Sequence, residues 1–98
     1  MIIVTGSVRA RPETFDEILA ASLEHVRRSR TEPGCLMHSV HQNVEDPLTL
    51  VFVEHWSDRA ALAAHFKVPE SRAFVTEIAT RAAAAPVMSV YEANPTEV

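Results

Sequence analysis

Two strand-forming segments stand next to each other near the middle of the chain, and this arrangement limits the folds that the chain can adopt. They are CLMHSVHQN, residues 35–43, and LTLVFVEHW, residues 48–56. In the first segment Leu36, His38 and Val40 fall on one side and the alternate residues on the other, as a strand requires. VEDP supplies turn residues between the two segments. The pair therefore predicts an antiparallel hairpin.

A strand and a long helix are expected before this hairpin. Residues 2–9, IIVTGSVR, are apolar and β-branched, and they predict a strand with a kink at Gly6. Apolar residues then recur at helical spacing over 12–30, with acidic residues first and basic residues last, which suits the helix dipole. The sequence TEPG ends this helix.

Two helices and a strand are expected after the hairpin. Ser57 or Asp58 can cap a short helix that begins at Arg59. Pro69 can open a second helix, and the Ala-rich segment RAAAA ends this helix at Pro86. VMSVYEA, residues 87–93, predicts the last strand.

This order of elements predicts an α+β fold, ferredoxin-like βαββαβ, with helices on one face of a four-stranded antiparallel sheet. A chain of 98 residues has the length of one domain, so we expect a single domain over 1–98. The other sheet face carries Met37, Val51 and Val53, which are too apolar to remain exposed to solvent. A homodimer that packs sheet on sheet, as a dimeric α/β barrel, is the simplest cover.

Charge and composition exclude several classes of function. The net charge is −4 and the only basic cluster is RRSR, so we expect no nucleic-acid partner. No signal peptide and no membrane span are expected, which favours a cytoplasmic protein without a membrane partner. Cys35 is the single cysteine, so neither a disulfide nor a zinc ribbon is available.

The chain resembles a known family in several short motifs. These are EPGC before the second strand, DP in the hairpin turn, and the run Glu54, Trp56, Asp58, Leu62 and His65 within EHWSDRAALAAH. The sequence is similar to the antibiotic biosynthesis monooxygenase family, which includes quinol monooxygenase-like members. The resemblance implies a homodimer with a ligand pocket in each subunit, between the sheet and its helices.

The resemblance also implies what such a protein does. The best-known members oxidise phenolic polycyclic compounds with molecular oxygen and no flavin, haem or metal; others degrade haem or isomerise a signalling molecule. The residues on which haem-degrading members rely are missing here, where Gly6 or Ser7, His65 and Val75 stand instead. Phe52 replaces the Asn that polyketide-oxidising members pair with the strand Trp. No cofactor is therefore expected.

Glu54 is the first catalytic candidate, because a carboxylate on an apolar strand face must be paired or protonated. If Val40 pairs with Phe52 in the hairpin, then His38 lies opposite Glu54, and the two form a carboxylate–imidazole couple. Such a couple suits a base that removes a phenolic proton. The alternative is a polar pair that only supports the fold.

His65 is the second candidate base, because it shares a helix face with Leu62 and Phe66 and should point inward. The alternative is a core histidine. His25, His41 and His55 are assigned no chemistry. No metal site is expected, because no pair of histidines stands four apart on a helix.

The predicted site combines these candidates with aromatic walls. The expected catalytic residues are His38, His65 and Glu54, and the expected substrate-binding residues are Trp56, Phe52, Phe66 and Phe74. Together they predict a cofactor-free monooxygenase that acts on a small quinol or phenolic aromatic compound with molecular oxygen. Two alternatives stay open: a non-catalytic dimeric module that binds a small ligand or has a stress or regulatory role, and a cofactor-free isomerase of a carbonyl compound.

Overall fold

A computed structural model describes the whole chain, Met1–Val98. It contains four strands and three helices, in the order expected for a ferredoxin-like fold. The strands are β1 (Ile2–Arg9), β2 (Cys35–Gln42), β3 (Thr49–Trp56) and β4 (Val87–Glu92), and the helices are α1 (Phe15–Ser29), α2 (Arg59–Lys67) and α3 (Pro69–Arg81). None of the helices has the length and apolar character needed to cross a membrane.

The four strands form one antiparallel sheet in the order β2-β3-β1-β4. In the β2–β3 hairpin Val40 lies opposite Phe52 and His38 lies opposite Glu54, so the predicted register is confirmed. Since side chains alternate along a strand, this register puts His38, Phe52 and Glu54 on the face that the helices cover.

The irregularity of the sheet lies in β2 and not at Gly6. β1 pairs with both neighbours without a register shift across Gly6, so no bulge interrupts the strand there. A shift instead occurs between Cys35 and Met37, and it leaves Leu36 exposed. The prediction that Leu36 shares the inner side of β2 with His38 is therefore wrong, because the bulge interrupts the alternation.

Two helix ends differ from the sequence prediction. The first helix begins at Phe15 rather than at 12, because residues 12–14 form a turn in which Thr14 donates a hydrogen bond to the carbonyl oxygen of Arg81 at 2.8 Å. The third helix ends at Arg81 rather than continuing through the alanines, since Ala83 donates its backbone N–H to β1 at 2.7 Å.

The start of α2 follows the prediction. The Asp58 carboxylate accepts a hydrogen bond from the backbone N–H of Ala61 at 2.8 Å and so caps the helix. On the helix itself Leu62 and His65 are buried, whereas Phe66 is 43% exposed. α2 therefore directs His65 toward the sheet and leaves Phe66 at the surface.

The core lies between the inner sheet face and the helices, in two clusters. The larger one joins α1 and α3 to the centre of the sheet, and its buried members are Val8, Ala10, Ile18, Val26, Leu50, Phe52, Phe74 and Ile78. The smaller one lies under α2 and consists of Ile2, Val4, Trp56 and Leu62. Between the two clusters stands a group of buried polar side chains.

Both the outer sheet face and β4 are incompletely covered within one chain. Val51 and Val53 are partly exposed, and Met37 is more exposed still. On β4 the side chains of Met88 and Val90 are also about half exposed, because the helices do not extend over this edge strand. One chain alone therefore leaves apolar area in contact with water.

Candidate active site

A cavity of about 590 Å³ opens between the inner sheet face and α3, toward β4. Its walls are mainly apolar and include Phe52, Phe66, Phe74, Val75, Ile78 and Met88. Its polar lining includes His25, Glu54, His65 and Ser71. Gly6 also lines the cavity, and a Cβ at this position would lie 3.3 Å from the backbone oxygen of Val87 and 3.9 Å from Cβ of Phe52. A mainly apolar cleft with a few convergent polar groups is typical of a small-molecule site.

The structure separates the predicted site residues into two layers. Phe52, Phe66 and Phe74 line the cavity, as do Glu54 and His65. Trp56 and His38 do not: the indole is fully buried and His38 is 2% exposed. Both lie behind the wall, where they contact Glu54.

Glu54 is the link between the two layers. Its Oε1 accepts a hydrogen bond from the Trp56 indole N–H at 2.9 Å and lies 3.3 Å from Nε2 of His38. Burial by itself raises the pKa of Glu54, but the contacts with His38, Trp56 and His65 outweigh it and hold the pKa below its ordinary value. Glu54 is therefore a carboxylate at neutral pH, although it is buried.

His65 lies between two carboxylates. Its Nδ1 is 2.8 Å from Oε1 of Glu32, and its Nε2 is 3.9 Å from Oε1 of Glu54. A carboxylate only accepts hydrogen bonds, so Nδ1 of His65 carries the proton in that contact and Nε2 of the neutral ring keeps its lone pair. This is the arrangement of a base: one nitrogen is oriented, and the other is free to take a proton.

His25, which the sequence pattern assigns no chemistry, also lines the cavity. Its ring stacks on Phe74 with 4.0 Å between ring centroids and 7° between the planes. Burial, together with the neighbouring imidazoles and the guanidinium of Arg28, lowers the pKa of His25 to about 3. His25 is therefore neutral throughout the physiological range and is no candidate for a base.

Arg28 connects these groups from the last turn of α1. Its guanidinium donates to Oε2 of Glu32 at 2.8 Å, to Nδ1 of His25 at 3.0 Å and to the Ser71 hydroxyl at 2.9 Å. The ion pair between Arg28 and Glu32 is only partly exposed. A guanidinium with several oriented donors is suited to hold groups from α1, from the turn after it and from α3 in fixed positions.

Four residues of this network were not predicted, namely His25, Arg28, Glu32 and Ser71. The spacing of His25 and Arg28 carries a signal, since positions three and four apart along a helix lie on one face. The face of α1 that holds His25 also holds Val26 and Ser22, which are buried, so the pattern of α1 does mark His25 as inward. The sequence does not show that this face meets His65.

The three buried histidines lie close enough to be considered as metal ligands. One ring nitrogen of each of His25, His38 and His65 lies within 4.8 Å of the other two. The sequence offered no such set, because the three come from different elements. Arg28 opposes a metal here: its donation to Nδ1 of His25 occupies one ring nitrogen and leaves the ring proton on the other, and its charge repels a cation.

Comparison with known proteins places this chain in a family. The family model described as antibiotic biosynthesis monooxygenase matches residues 1–77. The uncharacterized protein sll1783 of Synechocystis is 35% identical over 74 residues, which are 76% of this chain and 50% of that protein. The Bacillus subtilis protein named "Putative monooxygenase YcnE" is 29% identical over 77 residues, which are 79% of this chain and 81% of that one. The chain thus spans about half the length of the Synechocystis relative.

Solved structures agree with this match. A crystal structure of an antibiotic biosynthesis monooxygenase is 30% identical, with a TM-score of 0.89 over 97% of this chain and 100% of the other. A protein from Deinococcus radiodurans, 21% identical, shares the fold with a TM-score of 0.94 over 100% of this chain and 97% of its own. The match of the family model over most of the sequence, and this similarity of structure, show that the chain belongs to the antibiotic biosynthesis monooxygenase family.

Proposed function

We propose that this protein is a monooxygenase that acts on a small quinol or another phenolic aromatic compound. The observation that carries the proposal is the cavity, in which aromatic and aliphatic walls end at His65 between two carboxylates. Family membership and the name of the Bacillus relative support the oxygenase class.

The walls suit a flat aromatic substrate. The volume of about 590 Å³ lies in the usual range for small-molecule sites, roughly 300–1,000 Å³. Phe52 and Phe74 both line the space, with their ring centroids 6.0 Å apart and their planes at 68°. Aromatic ligands pack favourably against such rings. The exposed Phe66 lies at the surface of the same cavity.

The polar end supplies a base. Nε2 of His65 takes the phenolic proton of the substrate, and Glu32 holds the ring by its Nδ1–H. The imidazolium that forms is stabilised by the carboxylates of Glu32 and Glu54. The substrate is left as an electron-rich phenolate in an apolar cavity.

The remaining steps need only the phenolate and molecular oxygen. The phenolate gives one electron to oxygen, and the resulting superoxide joins the substrate radical at a ring carbon that bears hydrogen. The peroxide anion takes the proton back from His65. Loss of water from the H–C–O–OH unit then leaves a carbonyl, so that quinol plus O₂ becomes hydroxyquinone plus H₂O. The electrons come from the substrate, and the scheme calls for no flavin, haem or metal.

Oxygen uptake tests the proposal. Purified protein is mixed with a panel of hydroquinones and anthrones in an oxygen electrode, and the products are identified by mass spectrometry after ¹⁸O₂ labelling. His65→Gln should lower kcat by about a hundredfold or more, the usual contribution of a general base. Lys67→Gln is the matched control, because Lys67 is exposed two positions away on α2. Absence of labelled product over the whole panel overturns the proposal, and turnover that persists without oxygen would show proton-transfer chemistry instead.

We further propose that the protein acts as a homodimer in which two copies cover each other's outer sheet face. The partly exposed Val51 and Val53 and the exposed Met37 support this, since contiguous apolar area on a sheet favours association. Val53→Lys should produce a monomer in sedimentation velocity, whereas Val44→Lys in the exposed hairpin turn should leave the dimer intact. A wild-type monomer at micromolar concentration contradicts this arrangement.

A further inference from the structure

His25 and His65 face the same cavity, but their partners fix them in opposite tautomers. The guanidinium of Arg28 can only donate hydrogen bonds, so Nδ1 of His25, at 3.0 Å, must accept. A neutral ring that accepts at Nδ1 carries its proton on Nε2. In His65 the carboxylate of Glu32 can only accept, so the proton is on Nδ1.

One ion pair sets both tautomers. Arg28 and Glu32 are joined at 2.8 Å, Arg28 holds His25, and Glu32 holds His65. The pair lies at the end of α1, behind the polar lining of the cavity. Its charges therefore make Nε2 of His25 a hydrogen-bond donor and Nε2 of His65 an acceptor.

Both Nε2 atoms remain available to a ligand. Neither Nε2 of His25 nor Nε2 of His65 has a hydrogen-bond partner in the protein, and neither is sealed from solvent, in contrast to both ring nitrogens of His38. Because both residues are otherwise buried and line the cavity, the cavity is where these atoms are accessible.

We propose that His25 is a second catalytic residue of the site, which donates its Nε2–H to the phenolic oxygen whose proton His65 removes. The inference rests on the proposed function and names the group that holds the substrate's oxygen during and after deprotonation. One ring nitrogen of His25 and one of His65 lie within 4.8 Å of each other, and the two ring centroids are 5.4 Å apart. The rings are therefore close enough for one oxygen, at an ordinary hydrogen-bond length of about 2.8 Å, to bridge them.

The donor has a specific effect on the reaction. A hydrogen bond to a phenolate is stronger than one to the neutral phenol, so the Nε2–H of His25 favours the deprotonated substrate. Since His25 is neutral, it offers this bond without competing for the proton. Arg28 is the positioning residue that keeps the Nε2–H tautomer in place.

The tautomers can be observed directly, without substrate or oxygen. Long-range ¹H–¹⁵N NMR spectra of the uniformly ¹⁵N-labelled wild-type protein should show His25 protonated at Nε2 and His65 protonated at Nδ1. Arg28→Met should shift the nitrogen signals of His25 toward the other tautomer. Arg27→Met is the matched control, because Arg27 is exposed one position away. A wild-type His25 with its proton on Nδ1, or a tautomer unchanged in Arg28→Met, overturns the inference.

Binding of a phenol tests the donor itself. The probe is 4-nitrophenol, whose phenolate absorbs visible light, and nitrobenzene is the matched ligand without the phenolic oxygen. His25→Phe keeps an aromatic ring against Phe74 but removes the N–H, so it should weaken binding of 4-nitrophenolate by about tenfold or more. Nitrobenzene should bind equally to both proteins. Equal losses for the two ligands would show that His25 is only part of the wall. No binding of 4-nitrophenol to wild type would overturn the donor role.

The results of these measurements do not depend on whether the protein is a monooxygenase. A protein that takes up no oxygen with any phenol can still show the opposite tautomers and the selective loss of phenolate binding. Conversely, oxygen uptake that is unchanged in His25→Phe removes the donor role and leaves the monooxygenase proposal standing.

Discussion

The indole N–H of Trp56 donates to the buried carboxylate of Glu54 at 2.9 Å, from two positions along the same strand. The relationship explains how a fully buried Trp can affect the cavity without lining it. Trp56 supplies packing to the cluster under α2 and, through one hydrogen bond, adds to the contacts of His38 that keep Glu54 ionised beside His65.

Trp56→Phe should therefore raise the pKa of Glu54, because one of the groups that stabilise its carboxylate is lost. The free energy of unfolding should fall by about 2–4 kcal/mol, from lost volume and the lost hydrogen bond. The pKa is measured by ¹³C NMR titration of the Glu54 carboxyl. Leu62→Ala is the control: it truncates the same cluster and should reduce stability without moving that pKa. An unchanged Glu54 pKa in Trp56→Phe contradicts the role given to the indole.

The backbone of this site could be predicted from sequence because strand register follows a simple rule. Alternation along two adjacent strands and a turn between them were enough to place His38 opposite Glu54, and the structure confirms that pairing. The bulge near Cys35 could not be read in the same way, since a bulge depends on how the turn before it meets α2.

The network around His65 could not be predicted, because it joins side chains that are far apart in sequence. Glu32 and His65 are 33 residues apart, and Arg28 and Ser71 are 43 apart. Helical periodicity shows that His25 and Arg28 share a face of α1, but the packing of α1 against α2 and α3 decides what that face meets. The packing of α2 also decides the position of Phe66. Its helical spacing predicted an inward residue, but Phe66 is exposed.

Stability should fall with acidification below about pH 6.5, because His25 resists protonation in the folded protein. Its pKa is about 3 when folded, against an ordinary value of 6.5. Between these values the unfolded chain binds a proton that the folded protein does not. The free energy of unfolding therefore falls by up to about 1.4 kcal/mol for each pH unit of acidification. Glu54 acts in the same direction, but only below its ordinary value of 4.5.

Urea unfolding between pH 8 and pH 4 measures this dependence. In His25→Gln the slope between pH 6.5 and pH 4.5 should become shallower, because Gln does not titrate and its amide oxygen can still accept from Arg28. His55→Gln on the other sheet face should retain the wild-type slope. A variant His25→Gln with an unchanged slope would show that the acid sensitivity arises elsewhere.

Gly34 should not accept a side chain, because it lies in the left-handed region at φ +81° and a Cβ there would be 2.5 Å from Cβ of Ala61. Strain of about 1–2 kcal/mol and overpacking of about 1–3 kcal/mol should both destabilise Gly34→Ala. Chemical unfolding measures the loss. The double variant Gly34→Ala with Ala61→Gly should recover only part of the packing loss and keep the strain, because Oγ of Ser57 would still lie 2.7 Å from the added Cβ and glycine weakens α2. A single variant within about 0.5 kcal/mol of wild type contradicts the close approach.

Removal of Arg28 should turn the three-histidine cluster into a metal site. In the wild type the guanidinium occupies Nδ1 of His25 and adds a positive charge, and both effects oppose a cation. In Arg28→Ala the ring of His25 is free to change tautomer, and Glu32 loses its positive partner. We expect the affinity for Co²⁺, measured from its visible absorption bands, to rise by about tenfold or more, equivalent to about 1.4 kcal/mol.

Two further variants show whether this gain comes from the cluster. Arg27→Ala removes the same charge from an exposed position and should leave the Co²⁺ affinity of the wild type unchanged. Adding His38→Asn to Arg28→Ala should abolish the gain, because a third imidazole ligand is lost. Tight stoichiometric binding of Co²⁺ by the wild type would mean that Arg28 moves away from His25, and the donor role proposed for His25 would fall with it.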